Sequence, residues 1–260
     1  MNGVMRYFNI LFAGLVLCSS AAANTEPLTE KEHPWGLFDP GSMTIMQTSV
    51  TFRSAEGAVM SIQKMETTLV STGNDGITLQ EAESIEMGSR TVAKEPQIKR
   101  YDFWQELISD GVRIKAGTPV KLIIDKRTVP CEVRIYEQDV PGGTKTTTVW
   151  WSLHFFPHVL RTERVLRSVP ATDAAPGTPG EVVSQSVTAV LDISGSRSKR
   201  SYKLQTTERS GQITKQTEMV CSRNIPGGIL SASARETDGS GKEIRSSITY
   251  LTRYKYKTSP

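Results

Sequence analysis

The sequence predicts a mainly β protein, an antiparallel meander curved into a half-barrel, with about one helix. Three observations predict it: many segments alternate apolar and polar residues at period two, Gly-, Asn- and Asp-rich turn signals separate them, and a single stretch carries helical spacing. Apolar side chains at every second position give each strand one apolar side, so the strands together build a sheet with an apolar concave face.

The alternation begins with Thr44, Met46, Thr48, Val50 and Phe52 on one face and Met43, Ile45, Gln47, Ser49 and Thr51 on the other. Val59–Val70 and Ile77–Ile85 follow as strands, joined by the hairpin signal Asn74-Asp75-Gly76. Pro96–Asp110 is the helix candidate: Ile98, Tyr101, Trp104, Leu107 and Ile108 fall near one helical face, Pro96 suits a first turn and Gly111 an end. Val120–Ile124 and Cys131–Ile135 then flank a turn at Asp125-Lys126-Arg127. Pro157 divides Thr146–Leu153 from His158–Arg167. Val182–Ile193, Ser201–Thr207, Ile213–Cys221, Ile229–Thr237 and Glu243–Tyr256 complete the strands.

The chain divides into 1–23, a signal peptide; 24–34, a polar, flexible lead; 35–168, a β-rich first half; 169–180, a linker or long loop rich in Pro, Ala, Gly and Thr; and 181–258, a β-rich second half packed on the first. Lys64-Met65-Glu66-Thr67-Thr68 echoes Lys203-Leu204-Gln205-Thr206-Thr207, so the halves read as two pseudo-repeats or as coincidence in a Thr-rich chain. The leader has a short positive start, an apolar run from Phe8 to Leu17 and a small-residue site that places cleavage between Ala23 and Asn24. The run is about half the ~20 residues a spanning helix needs. Leu17, before Cys18, is larger than a lipoprotein signal accepts, which argues against a lipid anchor there. The protein is therefore expected in the periplasm, on the cell surface or outside the cell, with no transmembrane segment in the mature chain.

A formal charge of +4 points to no particular partner, and export argues against nucleic acid. Cys131 and Cys221 are a candidate disulfide; in the oxidising compartment a bridge would close a loop of about 90 residues, worth roughly 4 kcal/mol, and two buried free thiols are the alternative. His154 and His158 are spaced for a metal, but Pro157 lies between them and a third ligand is lacking nearby. Asp238-Gly239-Ser240-Gly241-Lys242 fails the phosphate-loop pattern at both flanks and reads as a hairpin turn. No nucleophile-elbow or zinc-protease motif is present, no cofactor is expected, and a hydrolase is the least favoured class. Trp104, Trp150 and Trp151 are the candidate ligand-face aromatics; Trp150 and Trp151, being adjacent on a strand, must face opposite sides.

Trp35-Gly36-Leu37-Phe38-Asp39-Pro40-Gly41-Ser42 resembles the opening of a group of secreted bacterial β proteins that run Trp-Gly-x-Phe-x-Pro-Gly-Ser, a group that brings no known activity. Val129-Pro130-Cys131-Glu132-Val133, Trp151-Ser152, Cys221-Ser222 and Ile225-Pro226-Gly227-Gly228 look like recurring segments of the same group. More distantly, the strand–hairpin–strand order is similar to Lol-type lipoprotein-carrier half-barrels, whose concave sheet holds acyl chains under a helix. The function expected is an exported, non-catalytic binding or envelope-associated protein holding a lipid-like or other hydrophobic ligand on its concave sheet; the alternative is a structural or adhesion module that binds another protein or an anionic surface.

Overall fold

A computed structural model describes residues 28–54, 57–169, 180–192 and 201–257. The leader and residues 170–179 of the proposed linker lie outside the described residues. Among the described residues fifteen strands run antiparallel in one large, open, curved sheet: β1 (Met43–Ser54), β2 (Gly57–Gly73), β3 (Gly76–Met87), β4 (Arg90–Ala93), β5 (Gln97–Tyr101), β6 (Arg113–Ala116), β7 (Val120–Ile124), β8 (Arg127–Val140), β9 (Gly143–Trp151), β10 (Val159–Ser168), β11 (Val182–Asp192), β12 (Ser201–Ser210), β13 (Ile213–Ser222), β14 (Ile229–Thr237) and β15 (Glu243–Lys255).

The meander closes on itself in sequence rather than in space. β15 pairs with β1, so the last strand lies beside the first, while both free edges come from the middle of the chain. One edge is β3 with β4 and β5; the other is β8 with β6, and β7 forms a hairpin with the start of β8. The edge strands β4 and β6 are four residues each and carry Arg90, Arg113 and Lys115, short and charged as exposed edges need to be. The turn between β7 and β8 is Asp125-Lys126, both at positive φ (47° and 63°), the tight hairpin geometry that matches strand twist. The two echo segments lie on β2 and β12, with Met65 and Thr67, and Leu204 and Thr206, on the concave face of each.

The predicted helix over 96–110 is a correction: among the described residues the only helical element is a 3-10 turn at Glu30–Glu32. Gln97–Tyr101 is instead a strand on β3, with Ile98 70 % exposed. Past it, the Asp102 carboxylate accepts the backbone N–H of Trp104 and of Glu106, both at 3.0 Å. A short acidic side chain that captures nearby amides in this way competes with the helical ladder and wins. Gln105 takes φ 68° at the tip, and Asp102 N–H donates to the Glu106 carbonyl at 2.9 Å. A bridge between Tyr101 and Leu107 closes the base. The result is a finger loop, Asp102–Glu106, in the segment that crosses from one sheet edge to the other.

The main core forms where this finger meets the sheet. Phe103 and Trp104 join Leu69, Ile77 and Leu79 from one side of the sheet, Tyr136, Val149 and Trp151 from the other, and Leu28, Trp35 and Phe38 from the N-terminal segment. Leu69, Ile77 and Val149 are fully buried. Each such side chain contributes roughly 1.5–3 kcal/mol of transfer free energy, so the finger and N-terminal segment are held as a plug on the concave face. A second cluster packs Ile124, Val129 and Cys131 against Leu160 and Val190.

Candidate functional site

The strand registers assign one face of every strand to the concavity. Met46, Met65 and Thr67 stand beside Thr48, Thr249 and Ala232, and the row continues through Met219, Leu204 and Val190. Thr48 and Thr249 share a hydrogen bond at 2.8 Å, and Thr188 and Thr206 one at 2.9 Å. Hydroxyls satisfied by each other carry little desolvation penalty for an apolar neighbour, so this wall tolerates a hydrophobic ligand despite its threonines.

Two cavities lie along this face. One, of about 400 Å³, is lined by Trp35, Met46, Met65, Leu79, Tyr101 and Ile229 among others. The other, of about 210 Å³, has Leu160, Thr162, Leu204, Met219 and Cys221 in its wall. Both are bounded by Pro34, Gln105, Gly227 and Ile229, so they are two arms of a trough divided by the plug. A further cavity of about 580 Å³ lies on the finger's other flank, between Trp104, Leu107, Ile114 and Tyr136.

The plug is fixed by polar contacts. The Tyr136 hydroxyl donates to Asp102 Oδ2 at 2.5 Å, and Glu106 Oε1 pairs with the Arg164 guanidinium at 2.5 Å. Burial pushes both carboxyls above their ordinary range, opposed by these partners. His33 is buried; its Nδ1 accepts the Trp35 N–H at 3.2 Å, and burial pushes its pKa down to about 4. Arg134 stacks over the Trp104 ring at 3.9 Å.

The structure separates the aromatics singled out in sequence. Trp104 and Trp151 meet edge-to-face at 5.9 Å inside the plug core. Trp150 points to the opposite face, with the Arg161 guanidinium 5.0 Å from its ring. Cys131 and Cys221 are both free and buried, Cys131 in the second cluster and Cys221 against Tyr202, and four strands lie between β8 and β13 in the sheet. His154 is exposed while His158 is half-buried, its Nδ1 3.2 Å from the Ser152 carbonyl. Among the described residues no three His, Cys, Asp or Glu side chains cluster as a metal site. Asp238 closes its hairpin by accepting Ser240 N–H at 2.9 Å and Lys242 N–H at 3.1 Å.

The residues that shape the trough went unread in the sequence: Pro34, His33, Gln105, Glu106, Asp102 and Arg164. The available signal was Asp102 and Glu106 flanking Phe103-Trp104, a polar frame around two large aromatics.

The fold and site define an open β half-barrel with an internal trough and a loop folded into it. No family model matches the sequence, and no curated protein is similar to it. Among solved structures, a Vibrio parahaemolyticus domain provisionally named an outer membrane lipoprotein-sorting protein is similar over 85% of this chain and 87% of its own, at 8% identity and a TM-score of 0.32. A Bacteroides fragilis protein, provisionally described as exported and with a YmcC-like fold, is similar over 84% of this chain and 99% of its own, at 9% identity and a TM-score of 0.30. No helix among the described residues is long and apolar enough to cross a membrane.

Proposed function

We propose that this chain is an exported, envelope-associated binding protein that holds a lipid-like ligand on the concave face of its sheet. The observation that carries the proposal is the two-armed trough, whose wall offers Met46, Met65, Leu79, Leu204 and Met219 to an elongated apolar chain. Unbranched, polarisable methionines adapt to such chains without a fixed shape. Concave, mostly apolar sites with a few polar groups are where small ligands bind.

The test is to express the gene with its own leader in a Gram-negative host, purify the protein without detergent and extract it with organic solvent. Mass spectrometry should recover an amphiphile near stoichiometric amounts, and amino-terminal sequencing should begin at Asn24. Met65→Trp and Met219→Trp, which fill the two arms, should abolish its recovery. Absence of any amphiphile, together with no binding of an environment-sensitive acyl probe, would overturn the proposal.

A further inference from the structure

The concave face changes character toward the ends of β9–β12 away from the main core. There a cavity of about 610 Å³ is lined by Lys145, Arg164, Leu166, Ser184, Ser186 and Glu208, with others. The register puts these on the trough side: Arg164 lies opposite Thr147 and Ser186, and Lys145 opposite Leu166. Thr147 is 2 % exposed and belongs to the same face as the core residues Val149 and Trp151. Arg164 lines both this cavity and the trough arm next to it. A compartment that carries Lys145 and Arg164 on otherwise largely apolar walls therefore continues directly from the adjoining arm.

The charges here are unequal. Glu236 pairs with Arg245 at 3.3 Å, Glu208 with Lys215 at 3.3 Å, and Glu106 with Arg164 at 2.5 Å. Lys145 feels Glu106 electrostatically but has no hydrogen-bonded or ion-paired partner among the described residues. The Glu106 side chain is 8 % exposed and reaches Arg164 from the finger loop, not from the sheet. A carboxylate carried in on a loop thus meets the guanidinium at the junction of the two compartments.

Resting on the trough reading above, we propose that the ligand is a single-chain amphiphile with a carboxylate or phosphate head, its chain in the apolar arm and its head on Lys145 and Arg164, where it competes with Glu106. Arg offers a planar, bidentate fork to such a head and Lys a mobile point charge, while Ser184 and Ser186 add hydroxyl donors. An anion that takes Arg164 from Glu106 also frees one of the side chains that holds the finger loop, so binding and loop release are linked.

The experiment is calorimetric titration of delipidated protein with dodecyl phosphate, dodecanoate, dodecanol and inorganic phosphate, on wild type, Lys145→Gln and Glu106→Gln. Both anionic amphiphiles should bind at least tenfold tighter than dodecanol, and inorganic phosphate more than a hundredfold weaker than dodecyl phosphate. Lys145→Gln should weaken the anionic amphiphiles about tenfold and leave dodecanol unchanged. Glu106→Gln, which removes the competing carboxylate, should tighten them by a similar factor. Equal binding of dodecanol and the anions, unmoved by either substitution, overturns the head-group assignment and leaves the trough reading standing. Inorganic phosphate binding as tightly as dodecyl phosphate overturns it too, in favour of a plain anion site. Failure of every amphiphile to bind removes both.

Discussion

The Tyr136 hydroxyl and the Asp102 carboxylate are joined at 2.5 Å across the gap between the sheet edge and the finger loop. Asp102 is 8 % exposed and also accepts two backbone amides of the loop, so one side chain both shapes the finger and moors it to β8. Replacing it with Ala strands buried donors, whose desolvation is the costly part of a lost hydrogen bond. Asp102→Ala should lower stability by ~2–4 kcal/mol, and Asp102→Asn, which keeps the acceptor for the amides, by ~1 kcal/mol or less. Chemical denaturation followed by Trp fluorescence measures both; equal losses would show that the amide contacts do not hold the loop.

His33 makes the N-terminal part of the plug acid-sensitive. Its pKa falls from an ordinary 6.5 to about 4 because burial disfavours the charged ring. A folded-state pKa below the unfolded one gives stability that is complete above about 6.5 and lost as pH falls toward about 4, at ~1.4 kcal/mol per pH unit. The raised carboxyls of Asp102 and Glu106 work in the opposite sense, their contribution being largest at low pH and lost as pH rises through their folded values. His158 is lowered by burial as well and works in the same sense as His33, so the net loss between pH 7 and 5 should belong to these two histidines, with the deeply buried His33 the larger share. His33→Asn, which keeps an acceptor for the Trp35 amide, should make the fall of the unfolding free energy across that interval distinctly shallower; parallel profiles for the two proteins would contradict this.

Strand identity was legible because burial on one side of a sheet writes itself as alternation. Thr44 and Val50 on β1, or Thr162 on β10, sit on the concave face as their spacing requires. The finger loop was not legible because the segment around it, from Ile98 to Ile108, carries helical spacing by accident, while the loop's conformation is decided by one carboxylate meeting two amides. The trough was not legible either: Pro34, Gln105 and Gly227 come from three distant segments and meet only through the curl of the sheet. Arg164 looked like any charged residue in a strand, since its meaning depends on Glu106, 58 residues away. Trp104 and Trp151 were visible as large features, but their mutual contact in the core needed the topology.

Gly227 is where the sheet's last meander touches the plug. It holds φ +72°, and a Cβ there would stand 3.0 Å from the Trp35 indole. Gly227→Ala thus meets both a disfavoured backbone and a ring that is 6 % exposed with little room to move. It should cost ~1–3 kcal/mol and shift Trp emission to longer wavelength. Gly73→Ala, at an ordinary φ with its nearest neighbours at 3.9 Å, is the matched control and should change neither. The same emission for wild type and Gly227→Ala would mean that Trp35 is not seated where the glycine allows it.

Cys131 and Cys221 are thiols closed off from solvent. Both are buried, and burial pushes each thiol up to about 11, so at neutral pH neither is a thiolate in appreciable amount. Cys131 is 3 % exposed, with Ile124, Val129, Leu160 and Val190 in the same cluster, while Cys221 is 1 % exposed and sits against Tyr202. A disulfide exchanges through an accessible thiolate, and these two sites offer neither access nor charge. Both thiols should resist a soluble disulfide reagent at pH 8 for hours in the native protein. Both should react once guanidinium exposes them, without prior reductant. Cys131→Ala and Cys221→Ala should each lower stability through lost packing rather than a lost cross-link, so adding reductant to wild type should leave its unfolding midpoint where it was. A midpoint that falls on reduction, or an absence of thiols in the denatured and unreduced chain, would establish instead that the two strands are bridged.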